Sequence, residues 1–233
     1  MKRVYKTVTV QVADNDGFEV RLDGRSLRSP GKNGLSLPTW ELAAAIAAEW
    51  DAQAVDVNPN TMPMMQLAST AVDLVAKSRE AFVDGVAAYG GTDLLCYRAD
   101  HPRELAERQA AQWQPLLDWA TLQYDAALLV RVGLMPHPQP AHATRALRRA
   151  VERYDNWMLT ALQSATAASG SLVVALALIE RRLDAAEAFE VSQLDETFQI
   201  EQWGEDAEAT KRRAALRDDI RAARRFADLL RAA

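Results

Sequence analysis

The residues best placed to do chemistry in this 233-residue chain are the carboxylates from Asp184 to Glu208, nine acids with no lysine or arginine among them. Two adjacent pairs, Asp195/Glu196 and Glu205/Asp206, have the residue types of general acid–base catalysis. On a helix, neighbours diverge by about 100°, so neither pair converges on one reacting atom. Val191, Leu194 and Phe198 are spaced as one buried helical stripe. Seven residues span two turns with a drift of about 20°, which sets Glu201 above Leu194, where the apolar stripe should continue. Trp203 follows at the helix end, and Gly204 stops the helix as a glycine just past the last periodic residue does. Residues 211–233, directly downstream, are dense in arginine. Two readings stay open. One is a solvated acidic helix paired with a basic one, with Glu201 matched to a cation between Arg212 and Arg225. The other is a partner-binding edge centred on Glu201 and Trp203.

Other chemistry is conspicuous by its absence. No GxxxxGK[ST] phosphate loop occurs, no GxGxxG follows a strand, and the GKNG at 31–34 lacks phosphate-binding spacing. The histidines His101, His137 and His142 have no HExxH or paired-cysteine context, so no metal site is expected. There is no GxSxG nucleophile elbow. The single cysteine, Cys96, sits between Leu95 and Tyr97 and reads as a small buried hydrophobe. An enzyme would need a pocket gathering Cys96, His142 or the acidic cluster. The residues favour a binding protein without a catalytic apparatus and without a cofactor.

The elements that must position these residues read as α+β. Residues 3–37 alternate like strands: Val4 to Val12, Phe18 to Leu22, Arg25 to Arg28, and a fourth strand at Leu35 and Leu37. Asp14-Asn15-Asp16-Gly17 and Asp23-Gly24 are the turn signals between them. So small a sheet needs a cover, which a helix beginning near Pro38 supplies through Leu42, Ile46 and Trp50. The break at Asp56 to Asn60 predicts a β-rich domain over 1–58 with that one covering helix, and an all-α domain over 59–233. In the second, Thr61 is expected to cap a helix, Pro115 to kink or split one, and Leu147, Val151, Tyr154, Met158 and Leu162 to line one long amphipath. Asp184 with Glu187 is a helix-start signature. The net charge of −5 argues against general affinity for nucleic acid or anionic membrane. No apolar run approaches a membrane span, and one cysteine agrees with a reducing compartment.

Three stretches carry a family likeness. LDGR at 22–25 with LPTWELAAAIAAEWDAQ and the turn at 60–63, GTDLLCYRADHPRELAERQAAQWQPLLDWA at 91–120, and LDETFQIEQWGEDAEA at 194–209 resemble, in this order, the F₁ ATP synthase assembly chaperones that attend the alpha subunit. The likeness implies a non-catalytic protein that binds free alpha subunit and shields its beta-facing surface until beta replaces it. It also implies a β-rich N-terminal domain joined to a larger helical one. The family's acidic C-terminal signature matches Glu196, Glu201, Glu205 and Asp206, with Trp203 among them; Glu201 is the first choice for partner binding. Asp93, Tyr97 and Arg98 form a second candidate surface, or a tie between domains. The chain begins almost at its first strand, so a bacterial, cytoplasmic member is expected, acting as a monomer without nucleic acid, membrane or nucleotide. The alternative is a helical adaptor for another complex.

Overall fold

Alternation at the N-terminus produces the expected antiparallel sheet. In the computed structural model, which describes residues 2–14, 17–133, 135 and 137–232, strands β1 (Val8–Val12), β2 (Phe18–Leu22) and β3 (Arg25–Ser26) pair in sequence order. Their register sets Val8 opposite Leu22, Val10 opposite Val20 and Val12 opposite Phe18. Asp23 (φ 47°) and Gly24 (φ 78°) both take positive φ, as a two-residue hairpin turn matched to strand twist requires. The turn residues Asn15 and Asp16, together with Leu134 and Pro136 of a later loop, lie outside the described residues. The fourth strand shrinks to a single bridge, in which Phe18 and Leu37 exchange backbone hydrogen bonds of 2.8 and 2.7 Å.

The remainder is mostly helical, with one short parallel strand pair, so the fold is α+β with a helical C-terminal region. The chain divides into two compact units: Met1–Arg79 with Asn156–Ala161 and Arg225–Ala233, and Glu80–Asp155 with Leu162–Arg224.

In the first unit, α1 (Trp40–Asp51) starts at Thr39, whose hydroxyl accepts from the Leu42 amide at 3.2 Å. Leu42, Ala43, Ile46 and Trp50 are buried, and Tyr5 donates its hydroxyl to the Trp50 carbonyl at 2.7 Å. Helix α2 (Pro63–Thr70) is capped in an unexpected way. Thr61 lies in a preceding 3₁₀ turn, and the cap position belongs to Met62, whose side chain makes no capping bond. Glu49 of α1 instead accepts from the Met64 and Met65 amides at 2.8 and 2.9 Å, bringing a carboxylate to a helix N-terminus. The Ser29–Asn33 turn, whose GKNG resembles a phosphate loop only in composition, wraps a protein carboxylate: Asp73 accepts from the Ser29 hydroxyl (2.6 Å) and the Gly31 amide (2.8 Å).

The second unit is organised around α7 (Leu172–Ile179), all eight of whose residues are buried. Its neighbours include α4 (Arg103–Tyr124), preceded in the chain by α3 (Arg79–Ala88) and a short strand β4 (Tyr97–Arg98). Strand β4 pairs in parallel with β5 (Arg131–Val132). Pro115 neither splits nor ends α4. It lies on the exposed face with Ala111, so the carbonyl it leaves without an intrahelical donor faces water. The long amphipath breaks instead, into α5 (Ala141–Glu152) and α6 (Asn156–Ser169). The break covers residues 153–155, with Asp155 and Asn156, residue types that favour helix ends over interiors, at the start of α6. Helix α8 (Ala185–Ser192) opens with the complete Asp184/Glu187 capping box. Then follow α9 (Leu194–Trp203) and α10 (Ala207–Leu230).

Candidate functional site

The stripe expected on one helix is buried at Val191, Leu194 and Phe198, but the helix is broken at Gln193 into α8 and α9. Trp113 of α4 donates its indole N–H to the Val191 carbonyl at 2.9 Å, fixing the end of α8 against α4. Glu201, one turn past Phe198, turns out to water with 43% of its side chain exposed. Its partner is not in the C-terminal arginine run but in α4: Arg108 Nη1 donates to it at 2.6 Å, while Nη2 reaches Glu104 at 2.7 Å. The Arg108 guanidinium also lies 5.2 Å over the Phe198 ring. Helical phase explains the choice of partner. Glu196 and Glu201 are five residues apart, or about 140° around the axis. Glu196 therefore faces α10, where Arg212 donates to it at 2.8 Å, and Glu201 faces α4.

The helix then ends abruptly. Gly204 takes φ 87° and ψ 172°, a region essentially reserved for glycine, and its amide closes the last turn onto the Ile200 carbonyl at 2.8 Å. Trp203, just before the reversal, is left 80% exposed. Glu205 is exposed as well. Asp206 has a structural task, accepting from the Glu208 and Ala209 amides at 2.8 and 2.9 Å to cap α10. Glu196, Glu201, Trp203, Glu205 and Asp206 thus lie along one stretch of chain, from the body of α9 to the start of α10.

Asp93, Tyr97 and Arg98 are placed differently. Asp93 is fully buried at the N-terminus of α7, accepting from the Ser171 hydroxyl (2.7 Å) and the amides of Val173 and Leu95 (3.1 Å each). Burial raises its carboxyl above the ordinary value, and these donors oppose the rise. Arg98 is buried too, donating from Nη1 to the Gln109 carbonyl with its guanidinium 5.1 Å over Trp113. Its Nε and Nη2 are buried without a partner. Tyr97 is half-buried in β4. Of this second group only Tyr97 presents any surface.

Nothing in the geometry assembles a catalytic centre around Cys96. The residue is buried, and its thiol is pushed up to about 12 by burial and by the nearby Asp93 charge, so it is a poor nucleophile. Among the described residues no group of three or more His, Cys, Asp or Glu is arranged to hold a metal ion. Among those residues, too, no helix is long and apolar enough to cross a membrane.

Sequence comparison decides the family, because the model of the ATP12 chaperone protein matches residues 2–121. The chain belongs to the ATP12 chaperone family. It is thereby a non-enzymatic chaperone of ATP synthase assembly. The crystal structure of Atp12 from Paracoccus denitrificans superposes with a TM-score of 0.93 at 41% identity, covering 98% of each chain. The Atu1473 protein of Agrobacterium tumefaciens gives a TM-score of 0.94, also at 41% identity, over 98% of this chain and 86% of that one. The mitochondrial protein atp12 of Schizosaccharomyces pombe is 24% identical over 220 residues, which is 88% of this chain and 75% of that protein. The ATP12 fold therefore spans both units, including the α8–α10 region beyond the family-model match.

Proposed function

We propose that this ATP12-family chaperone binds the free alpha subunit of F₁ ATP synthase in the bacterial cytoplasm, as a monomer, and shields the alpha surface that later meets beta. The contact is made by the end of α9 and the start of α10. Trp203 is the anchor, Glu196 lies two turns back on the same helical phase, Glu201 stands about 160° round the axis on the side of α4, and Glu205 and Asp206 lie across the turn. The observation that carries this reading is the 80% exposure of a tryptophan at a helix end fixed by Gly204. Exposed aromatic anchors ringed by charge are the common anatomy of a protein interface. An unassembled subunit exposes an apolar patch that invites misassociation, and a chaperone must leave again when the true neighbour arrives. Charge around a single aromatic anchor suits that need, since it contributes selectivity and encounter rate more than raw affinity.

The test is co-expression of tagged chaperone with untagged F₁ alpha and F₁ beta, followed by affinity capture. Alpha should be recovered selectively, and both Trp203→Ala and Glu201→Lys should abolish recovery while leaving the melting temperature within a few degrees of the parent. Equal recovery of both subunits, or of neither by a folded chaperone, refutes the assignment.

A further inference from the structure

A groove of about 520 Å³ runs beside α9 in the second unit, and its wall is basic. Arg108, Arg213, Arg217 and Arg221 line it, against the carboxylates of Glu190 and Glu201. Glu201 is already bound to Arg108, so the remaining three arginines exceed the local acid supply. The floor is aromatic: Phe189 lies under the guanidinium groups of Arg213 and Arg217, 5.3 and 5.9 Å from its ring centroid. Stacking of this kind holds a guanidinium plane in place while leaving its edge donors free.

Among the described residues most of those donors lack a close protein acceptor. Arg213 donates from Nη2 to the Thr197 hydroxyl at 3.0 Å, but its Nη1 is buried without a partner. Among the described residues Arg217 makes no ion pair, and Arg221 has only a 3.7 Å approach to Asp218. Massing like charges without counter-charge destabilises the free protein, and a bound anion relieves the repulsion.

We propose that this groove receives an acidic segment of a protein client, its Asp or Glu carboxylates accepting paired hydrogen bonds from the exposed Arg217 and Arg221, with Arg213 adding positive charge beneath them. Carboxylates match the planar fork of arginine two oxygens at a time. A nucleic-acid strand fits less well. It carries charge continuously, and Glu190 and Glu201 line the groove in a chain of net charge −5. The choice of F₁ alpha as the client rests on the function proposed above; the preference for an acidic segment does not.

The experiment therefore has two arms. In the first, fluorescence anisotropy follows titration of the full-length protein into a labelled octaglutamate peptide, its octaglutamine counterpart, and a single-stranded DNA oligonucleotide. The glutamate peptide should bind and weaken with salt, and the glutamine peptide should not bind. Arg217→Glu/Arg221→Glu, both at exposed positions, should lose at least about tenfold in affinity with the circular dichroism spectrum unchanged. Absence of peptide binding, binding indifferent to the double substitution, or tighter binding of DNA overturns the proposal. In the second arm, alpha-subunit capture is repeated with the double variant. Capture of alpha by the parent but equally by the variant overturns the groove as its docking place. Peptide binding without any capture of alpha sustains the groove and sinks the alpha assignment alone.

Discussion

Replacing Asp93 by alanine should destabilise the second unit by about 3 kcal/mol, and the structure allows that figure to be assembled. The carboxylate is fully buried and accepts from the Ser171 hydroxyl and the amides of Val173 and Leu95, with the Leu172 amide also directed at it. The hydroxyl keeps a second task, accepting from the Val174 amide at 3.0 Å, and it can rotate toward another acceptor. The backbone amides cannot move. Each buried N–H left without an acceptor costs about 1–3 kcal/mol. Loss of a negative charge at the α7 N-terminus adds about 0.3–2 kcal/mol. Against these stands the relief of no longer burying a charge, the same effect that raises the Asp93 carboxyl. A water entering the vacated space offsets a further part, and a net loss near 3 kcal/mol results. The assay is urea unfolding followed by circular dichroism, comparing midpoints at constant slope. Asp93→Asn should fall between the parent and alanine, since one amide oxygen still accepts while its NH₂ faces the donors. A loss below about 1 kcal/mol for alanine would refute the view that this carboxylate anchors α7. Loss of partner capture without loss of stability would move Asp93 from the interior scaffold to the binding surface.

Other expectations follow from the same geometry. Gly204→Ala should cost about 1–3 kcal/mol, because its φ and ψ lie where a side chain is strained, and it should weaken alpha capture by displacing Trp203; thermal melts and capture measure the two effects. Gly31→Ala would set a Cβ 2.6 Å from Asp73 Oδ1, so the Ser29–Asn33 turn must open, read as faster amide exchange at Gly31 and Asn33. The Asp73 carboxyl is held below the ordinary value of 3.8, first by the Ser29 hydroxyl and then by Asn33 and the Gly31 amide. The unfolded chain thus binds its proton more readily. The stability that Asp73 contributes is complete above about pH 4 and disappears as pH falls through its lower folded value. Asp73→Asn should flatten that part of an acid-unfolding profile, and an unchanged profile would count against the turn's role.

Local pattern carried the sequence a long way. Val191, Leu194 and Phe198 announced their burial by spacing alone, as did Leu42, Ile46 and Trp50 on the helix covering the sheet. Asp184 and Glu187 announced a capping box, and Asp23-Gly24 a tight hairpin. What stayed hidden was every bond between distant stretches. Arg108 meets Glu201 across 93 residues, and Asp93 meets Ser171 across 78. No periodicity links such partners, so composition suggested the nearby arginine run for Glu201 and a surface for Asp93. Glu49 illustrates the same limit, since a carboxylate borrowed from α1 removed the need for Thr61 to cap α2. The arginine groove left one faint trace, the four-residue interval between Arg213 and Arg217. Only the fold supplies the phenylalanine beneath them. Around the candidate edge, the position of Trp203 beside Gly204 is legible in the sequence, whereas its exposure depends on how α9 packs.

The buried Cys96 has a bearing on how a holding protein can let go. Burial pushes its thiol up to about 12 and walls it off from water, so it carries little thiolate at neutral pH. Since it is the only cysteine in this sequence, mixed-disulfide formation with a client whose own cysteines are still unburied is strongly disfavoured. Every bond between the two proteins is then one that thermal motion and competition can undo, and oxidative stress has no handle by which to turn a temporary escort into a permanent one.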